Sequence, residues 1–227
     1  MRKQSEKTMK LVAIAMFSAL AFVTTALCGY FPKVAGFLSL ELKDSIIVIC
    51  SLIFGPLSGL FIAILVPIIE SFTISITGWY GLLMNVLSSA TFVLVTGLIY
   101  RYKRTLYGAV VGLVAGVFSV TAVMLLANLL ITPLYLTMIG VPTTVGDVAK
   151  MIPTILLPFN FIKATLNGSV VLLLYKPISS AMRKSGFLPK KENQGRDTRN
   201  KIRSFWITLI ALTVIIVSFL IIFLVLT

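Results

Sequence analysis

Residues 45–76, SIIVICSLIFGPLSGLFIAILVPIIESFTISI, are the apolar stretch that decides the topology of this chain. A membrane span needs about 20 residues, so the stretch is too long for one straight span. Its first part, residues 45–54, would rise only about 15 Å as a helix, which is half of a bilayer core. Either the stretch crosses once as a kinked helix, or Gly55 and Pro56 form a turn between a short helix and a full one.

The composition of the whole chain indicates that its solvent is lipid. Hydrophobic residues make up 58% of it and charged residues 12%, and the mean hydropathy is +1.04. Long apolar runs in a bilayer form helices, because no water is present to satisfy their backbone groups. We therefore predict an all-α polytopic protein in the cell membrane. Its apolar runs are 11–28, 45–54, 57–76, 79–100, 106–138, 152–175 and 204–226.

The basic residues decide between the two interpretations of residues 45–76. The net charge is +13, and the Lys and Arg residues lie in short clusters between the apolar runs, which indicates topology signals and not nucleic-acid binding. With a turn at Gly55, sixteen of the twenty Lys and Arg residues lie on the cytoplasmic side with the N-terminus. Without the turn, every cluster after residue 100 would lie outside. We therefore predict the turn, a cytoplasmic N-terminus and an external C-terminus.

This topology divides the chain into three parts. Residues 1–183 are predicted to form a six-helix membrane domain with a short second helix, which would contain the substrate-binding site. Residues 184–203 are predicted to be a basic cytoplasmic linker. Residues 204–227 are predicted to be an additional transmembrane helix, and they contain no charged side chain with which to bind a solute.

Polar side chains within spans are costly, so they are the best indication of a site. On four predicted helices they recur at spacings of three, four or seven residues, which places each set on one face. Counted at about 1.5 Å per residue, the members of these sets reach a common level in the outer half of the membrane. That arrangement predicts a solute pocket open to the outside. The candidates are Glu70, Asn85, Asn128, Thr132, Tyr135, Asn160 and Lys163.

Structural roles are the alternative for each candidate. Ser and Thr in spans often bond to their own backbone, and Glu70 either contacts a solute, pairs with a cation or reaches the surface. Lys163 is the strongest candidate, because a lysine within a span costs about 2.5–3.5 kcal/mol to insert and Asn160 already makes its helix face polar. Asp44 is expected to be the N-cap of the second helix.

Several kinds of chemistry are not indicated. The chain has no histidine, so it lacks the usual zinc sites and the Ser-His-Asp triad, and it has no Gly-Lys pair for a phosphate-binding loop. Cys28 and Cys50 lie in apolar segments without a CxxC spacing and are expected to be packing residues. We predict no catalytic residue, no metal site and no resident cofactor.

Three motifs are more specific than these patterns. They are Asn128-Leu-Leu-Ile-Thr-Pro-Leu-Tyr135, Leu157-Pro-Phe-Asn-Phe-Ile-Lys163, and Leu42-Lys-Asp44 leading into Phe54-Gly-Pro56. With them, residues 9 to about 184 resemble the riboflavin-specific S component, the substrate-binding subunit of an energy-coupling factor (ECF) vitamin transporter. The resemblance implies six helices that hold riboflavin, as transported ligand, near the outer surface under the first loop. It also implies that Asn128, Asn160 and Lys163 contact the flavin.

The resemblance further implies partners. The face of the first helix that carries Ala15 and Ala19 would dock on a membrane coupling subunit, which carries two cytoplasmic ATPase subunits, and transport would proceed by toppling of the loaded S component. From the residues alone, the small-xxx-small spacing of these alanines allows either internal packing or docking. The additional C-terminal helix departs from the six-helix pattern.

The residues by themselves leave the solute open. A pocket with one cation, one acid and several amides suits a neutral planar solute better than a polyanion, and vitamins other than riboflavin fit that description. An ion-coupled or stand-alone transporter of another small neutral solute is the alternative function. A membrane-embedded lipid-modifying enzyme is a further alternative, but it would need paired acids, and Glu70 has no acidic partner at helical spacing.

Overall fold

The structure of the protein is a computed structural model, and it describes residues 2–188 and 198–226. Within these ranges the chain is helical apart from its connecting loops and one isolated bridge between Val34 and Leu38. The predicted all-α fold is confirmed. The helices are α1 (Arg2–Cys28), α2 (Lys43–Phe54), α3 (Pro56–Thr73), α4 (Gly78–Tyr102), α5 (Leu106–Met138), α6 (Val145–Met151), α7 (Leu157–Lys184) and α8 (Thr198–Leu226), with a π-helical segment (Ile152–Leu156) between α6 and α7.

A single residue, Gly55, separates α2 from α3, and it makes the predicted turn. Its φ of 97° and ψ of 161° lie in a region that is open almost only to glycine. Pro56 occupies the first position of α3, where the missing N–H costs nothing because that group has no intrahelical partner. The stretch 45–76 is therefore a helical hairpin, and the kinked single span is wrong.

The short helix α2 lies inside the bundle. It has 12 residues, every residue from Lys43 to Leu52 is buried, and it packs against α1, α3, α4 and α7. Five other helical regions of the described chain are long and apolar enough to cross a membrane, namely α1, α3, α4, α5 and the continuous region of α6 and α7. The chain is therefore a multi-pass membrane protein in which spanning helices enclose one that is too short to span.

The sixth predicted helix begins earlier than its apolar run, which starts at residue 152. Thr144 and Asp147 form a capping box that starts α6. Pro153 and Pro158 each remove a backbone donor, and the π-helical segment between α6 and α7 accommodates the change in hydrogen bonding. The apolar pattern alone did not show this start, because the capping box is polar.

The two ends of the bundle carry different connecting segments, and they are named the loop end and the basic end. The loop end carries the long loop of residues 29–42 and the connections from α3 to α4 and from α5 to α6. The basic end carries the turn at Gly55, the α4–α5 connection and the C-terminal end of α7. Residues 189–197 of the predicted linker, 184–203, lie outside the described residues, and α8 packs against α7. The division into domain, linker and added helix stays a prediction.

Candidate functional site

A cavity lies at the loop end, where the loop of residues 29–42 meets α4, α5 and α7. Side chains predicted on separate helices converge on it. Those that line it are Asn85, Asn128, Thr132, Tyr135, Asn160 and Lys163. The seventh candidate, Glu70, is not part of the lining. It is buried behind the wall, where the Asn85 side-chain amide donates to its Oε2 at 3.4 Å.

Two amides in the wall are fixed by bonds to their own helices. Asn128 donates to the Met124 carbonyl at 2.7 Å, and its oxygen accepts from the Thr132 hydroxyl at 2.8 Å. Asn160 donates to the Leu156 carbonyl, also at 2.7 Å. An amide has two N–H donors and an oxygen with two lone pairs. Each side chain therefore keeps a donor and an acceptor position beyond these bonds, held in a fixed orientation.

Aromatic rings complete the lining. Tyr80 and Tyr135 both line the cavity, and their ring centroids are 6.0 Å apart. Phe37 from the loop and Phe159 from α7 line it as well. Flat faces beside oriented amides suit a planar, hydrogen-bonding solute.

Four charged side chains form a chain of ion pairs that runs from the cavity wall into the bundle. Lys163 Nζ lies 3.3 Å from Glu41 Oε2, and the same oxygen lies 3.2 Å from Lys43 Nζ. Lys43 Nζ in turn lies 2.5 Å from Glu70 Oε2. The Lys43 side chain is 1% exposed and that of Lys163 is 13% exposed. Lys163 therefore presents to the cavity a charge that is already neutralised by Glu41.

Glu41 joins the loop to the wall. Burial alone would raise the pKa of its carboxyl, but the nearby ammonium groups of Lys163 and Lys43 outweigh burial and lower the pKa to about 2. Glu41 is thus ionised at neutral pH, and it ties the end of the loop of residues 29–42 to α7 electrostatically.

The sequence prediction missed Glu41 and Lys43. Lys43 is one of the four basic residues that the predicted topology does not place on the cytoplasmic side, and it was therefore not considered as a site residue. A signal was present, however, since Glu41, Lys43 and Asp44 alternate in charge immediately before a buried helix, and Glu70 and Lys163 required partners within the membrane.

The expectation that Asp44 caps α2 is wrong. The helix begins at Lys43, the residue in the N-cap position is Leu42, and Asp44 accepts a hydrogen bond from Ser89 at 2.5 Å. Asn167 of α7 supplies the cap instead. Its Oδ1 accepts a hydrogen bond from the Ser45 N–H at 2.9 Å. A side chain from a neighbouring helix therefore bonds to a free backbone N–H at the start of α2, the role that was expected of Asp44.

Residues 9–175 match the model of the family described as "ECF transporter, substrate-specific component". The chain belongs to this family. It is thus the substrate-specific, or S, component of an ECF transporter, and the family associates with an ECF module. The matched residues end within α7, so α8 lies outside the family model.

Individual relatives agree with the family match. The chain is 28% identical over 184 residues to the riboflavin transporter RibU of Staphylococcus aureus (strain TCH60), covering 79% of this chain and 95% of that protein. It is 29% identical over 180 residues to the riboflavin transporter FmnP of Bacillus subtilis (strain 168), covering 75% and 94%. A solved structure described as the S component of a bacterial ECF transporter matches with a TM-score of 0.65 and 26% identity, covering 78% of this chain and 99% of that one.

The first helix of this S component has two different faces. Ala13, Phe17 and Ala21 are buried against the bundle. Ala15 and Ala19 are exposed on the opposite side of α1. Internal packing therefore does not explain their small-xxx-small spacing, and they lie on a surface that faces outward from the bundle.

Among the residues the structure describes, no group of three or more His, Cys, Asp or Glu side chains is arranged to hold a metal ion. Glu41 and Glu70 do approach each other, but Lys43 lies between them and pairs with both. Two carboxylates held by one ammonium group are an ion-pair arrangement and not a pair that shares a proton.

Proposed function

We propose that this S component binds riboflavin in the loop-end cavity and presents it to the ECF module for uptake. The observation that carries the proposal is the convergence of Asn128, Asn160 and Lys163, from two separate helices, on one aromatic-lined cavity. The two relatives named as riboflavin transporters support the choice of ligand.

The chemistry of the wall suits a flavin. The pyrimidine-like edge of riboflavin alternates hydrogen-bond donors and acceptors, and the fixed amides of Asn128 and Asn160 offer both kinds of group. The tricyclic ring has flat apolar faces for Tyr80 and Tyr135. Because Glu41 neutralises Lys163, the site gives little attraction to a polyanion.

The cavity is smaller than such a ligand requires. Its volume is about 110 Å³, whereas sites for ligands of comparable size are usually about 300–1,000 Å³. The loop of residues 29–42 carries Phe37 and Leu38 of the lining and is the part not fixed within a helix. In the proposed binding step this loop moves outward to admit riboflavin and then covers it.

The proposed orientation puts the basic end in the cytoplasm and the cavity at the outer face. The positive-inside rule supports it, because the clusters containing Lys10, Arg101 and Arg183 all lie at the basic end. The N-terminus is then cytoplasmic and the C-terminus external. A cysteine at Lys103 is expected to react with a membrane-impermeant maleimide only from the cytoplasmic side, and labelling from outside intact cells contradicts the orientation.

The proposed partners are a membrane coupling subunit and two cytoplasmic ATPase subunits. The exposed Ala15 and Ala19 surface of α1 is the proposed docking face, since small residues let a partner helix approach closely where lipid supplies no hydrophobic drive.

A riboflavin titration of the purified protein in detergent, followed by quenching of flavin fluorescence, tests the ligand and the site together. Asn160→Ala is expected to weaken binding about tenfold, the equivalent of one buried hydrogen bond to the ligand. Lys163→Met is expected to weaken it by about tenfold or more, since a bond from a charged donor contributes more.

Thr73→Val is the matched control. Thr73 is exposed on α3, and within the described part of the chain the only side-chain hydrogen bond it makes is to the Ile69 carbonyl of its own helix. Its replacement is therefore expected to leave affinity unchanged. Wild-type protein that carries no flavin absorbance and binds no added riboflavin contradicts the proposal. Riboflavin uptake by this chain alone in proteoliposomes would instead favour a stand-alone transporter.

A further inference from the structure

A second and larger cavity lies at the basic end of the bundle. Its volume is about 510 Å³, and it opens between α1, α2, the start of α3, α4 and α7. Four cationic side chains line it, and they come from three parts of the chain: α1, the end of α4 with the connection after it, and α7. They are Lys10, Arg101, Arg104 and Arg183. No Asp or Glu is among the lining side chains that the structure describes.

Hydroxyl groups form the floor of this cavity. Ser51 and Ser179 are buried in its lining. The Tyr100 and Tyr175 hydroxyl groups, also in the lining, are 3.1 Å apart. Cations at the mouth and neutral donors at the floor are the groups that bind an oxyanion.

The positive potential of this cavity comes from side chains and not from helix dipoles. The C-terminal ends of α2, α4 and α7 meet here with the N-terminal end of α3, so the negative ends of three helices and the positive end of one are close together. The dipoles alone would therefore disfavour an anion. The full positive charges of Lys10, Arg101 and Arg104 outweigh partial charges of about half an elementary charge at each helix end.

We propose that this cavity binds the phosphate headgroup of an anionic phospholipid. Arginine forms paired hydrogen bonds to phosphate, and three of the four cations are arginines. The rim supports a lipid as the source, because Leu57 lines the cavity and is 74% exposed on the apolar outer surface of α3. An acyl chain leaving the cavity past Leu57 passes onto the lipid-facing surface. Basic pockets between membrane helices are known sites for anionic headgroups.

The test is a calorimetric titration of the full chain in neutral detergent with short-chain phosphatidylglycerol, phosphatidylcholine or inorganic phosphate. We expect saturable binding of phosphatidylglycerol, at least tenfold weaker binding of phosphatidylcholine, and no saturation by inorganic phosphate. R101Q/R104Q is expected to weaken phosphatidylglycerol binding by about 25-fold, at roughly fivefold for each cation removed. R101K/R104K keeps both charges but loses the paired hydrogen bonds, and it is expected to bind more tightly than R101Q/R104Q and more weakly than the wild type.

The matched control, K33Q/K150Q, removes the same charge at the loop end, and it is expected to bind phosphatidylglycerol as the wild type does. The helical circular-dichroism signal and melting temperature of each variant separate loss of binding from loss of fold. Equal losses in R101Q/R104Q and K33Q/K150Q would overturn the site, since binding would then follow net charge alone. Saturation by inorganic phosphate at concentrations similar to those of the lipid would overturn the lipid as its source. None of these results depends on riboflavin binding.

Discussion

Replacing Lys43 with methionine removes the ammonium group that pairs with both Glu41 and Glu70. Lys43 Nζ lies 2.5 Å from Glu70 and 3.2 Å from Glu41, and its side chain is 1% exposed. Without it, Glu41 keeps Lys163, but among the described residues the Glu70 carboxylate keeps only the 3.4 Å bond from Asn85. The other oxygen of Glu70, Oε1, is buried and has no hydrogen-bond partner among the described residues.

The expected loss of stability follows from this geometry. Removal of one partner from a buried ion pair costs about 3–5 kcal/mol, because an uncompensated charge stays in a medium of low dielectric constant. Methionine fills a similar volume, so a cavity adds little. Reversible unfolding of the purified protein in mixed micelles, monitored by circular dichroism, measures the change in the free energy of unfolding.

Two further variants test the role of Lys43 in the ion-pair network. Glu70→Gln in the Lys43→Met background removes the unpaired charge and is expected to recover about 0.5–3 kcal/mol, the usual coupling of residues in one network. Lys150→Met breaks a Lys–Asp pair whose lysine side chain is 82% exposed, and it is expected to cost less than about 1 kcal/mol. The account of the network is refuted if Lys43→Met costs no more than Lys150→Met, or if the second substitution recovers nothing.

Three other perturbations test separate parts of the structure. Gly55→Ala puts a Cβ on a residue with φ of 97° and is expected to cost about 1–3 kcal/mol in the same unfolding assay, and an unchanged value contradicts the turn. Because the pKa of Glu41 falls to about 2 from 4.5, its stabilising contribution is fully present above pH 4.5 and is lost as the pH falls towards 2. The stability difference between wild type and Glu41→Gln is therefore expected to stay constant between pH 8 and pH 5, and a decline within that window contradicts the pairing. Ala15→Phe with Ala19→Phe is expected to preserve riboflavin binding, since both positions are exposed, but to abolish uptake in cells that supply the ECF module, and normal uptake contradicts the docking face.

The sequence predicted best those features that follow from periodicity. Asn128, Thr132 and Tyr135 share a helix face because of their spacing, and the structure places them along one cavity. The turn at Gly55 was predictable because charge parity along the whole chain depends on it. Both predictions depend only on the spacing of residues along the sequence.

The features that were missed depend on contacts between distant segments. Ser45 receives its cap from Asn167, 122 residues later, and Lys43 meets Glu70 across 27 residues. No local rule indicates which polar residues meet once the helices pack. Composition did indicate that charges within the spans needed partners, but it did not indicate that Lys43, in a loop by its sequence position, would be one of them.

The four buried charges need an explanation other than stability. A buried ion pair is weak evidence for stability, since replacing both partners with apolar residues is often neutral or favourable. Four such charges within a membrane bundle are therefore better explained by what they position. One end of the network is Lys163 in the cavity wall, and Glu41 next to it belongs to the loop over the cavity. A ligand that bonds to Lys163 competes with Glu41 for that ammonium group. Under the proposed function, the ion pair that orients Lys163 therefore also couples binding in the cavity to the position of the loop.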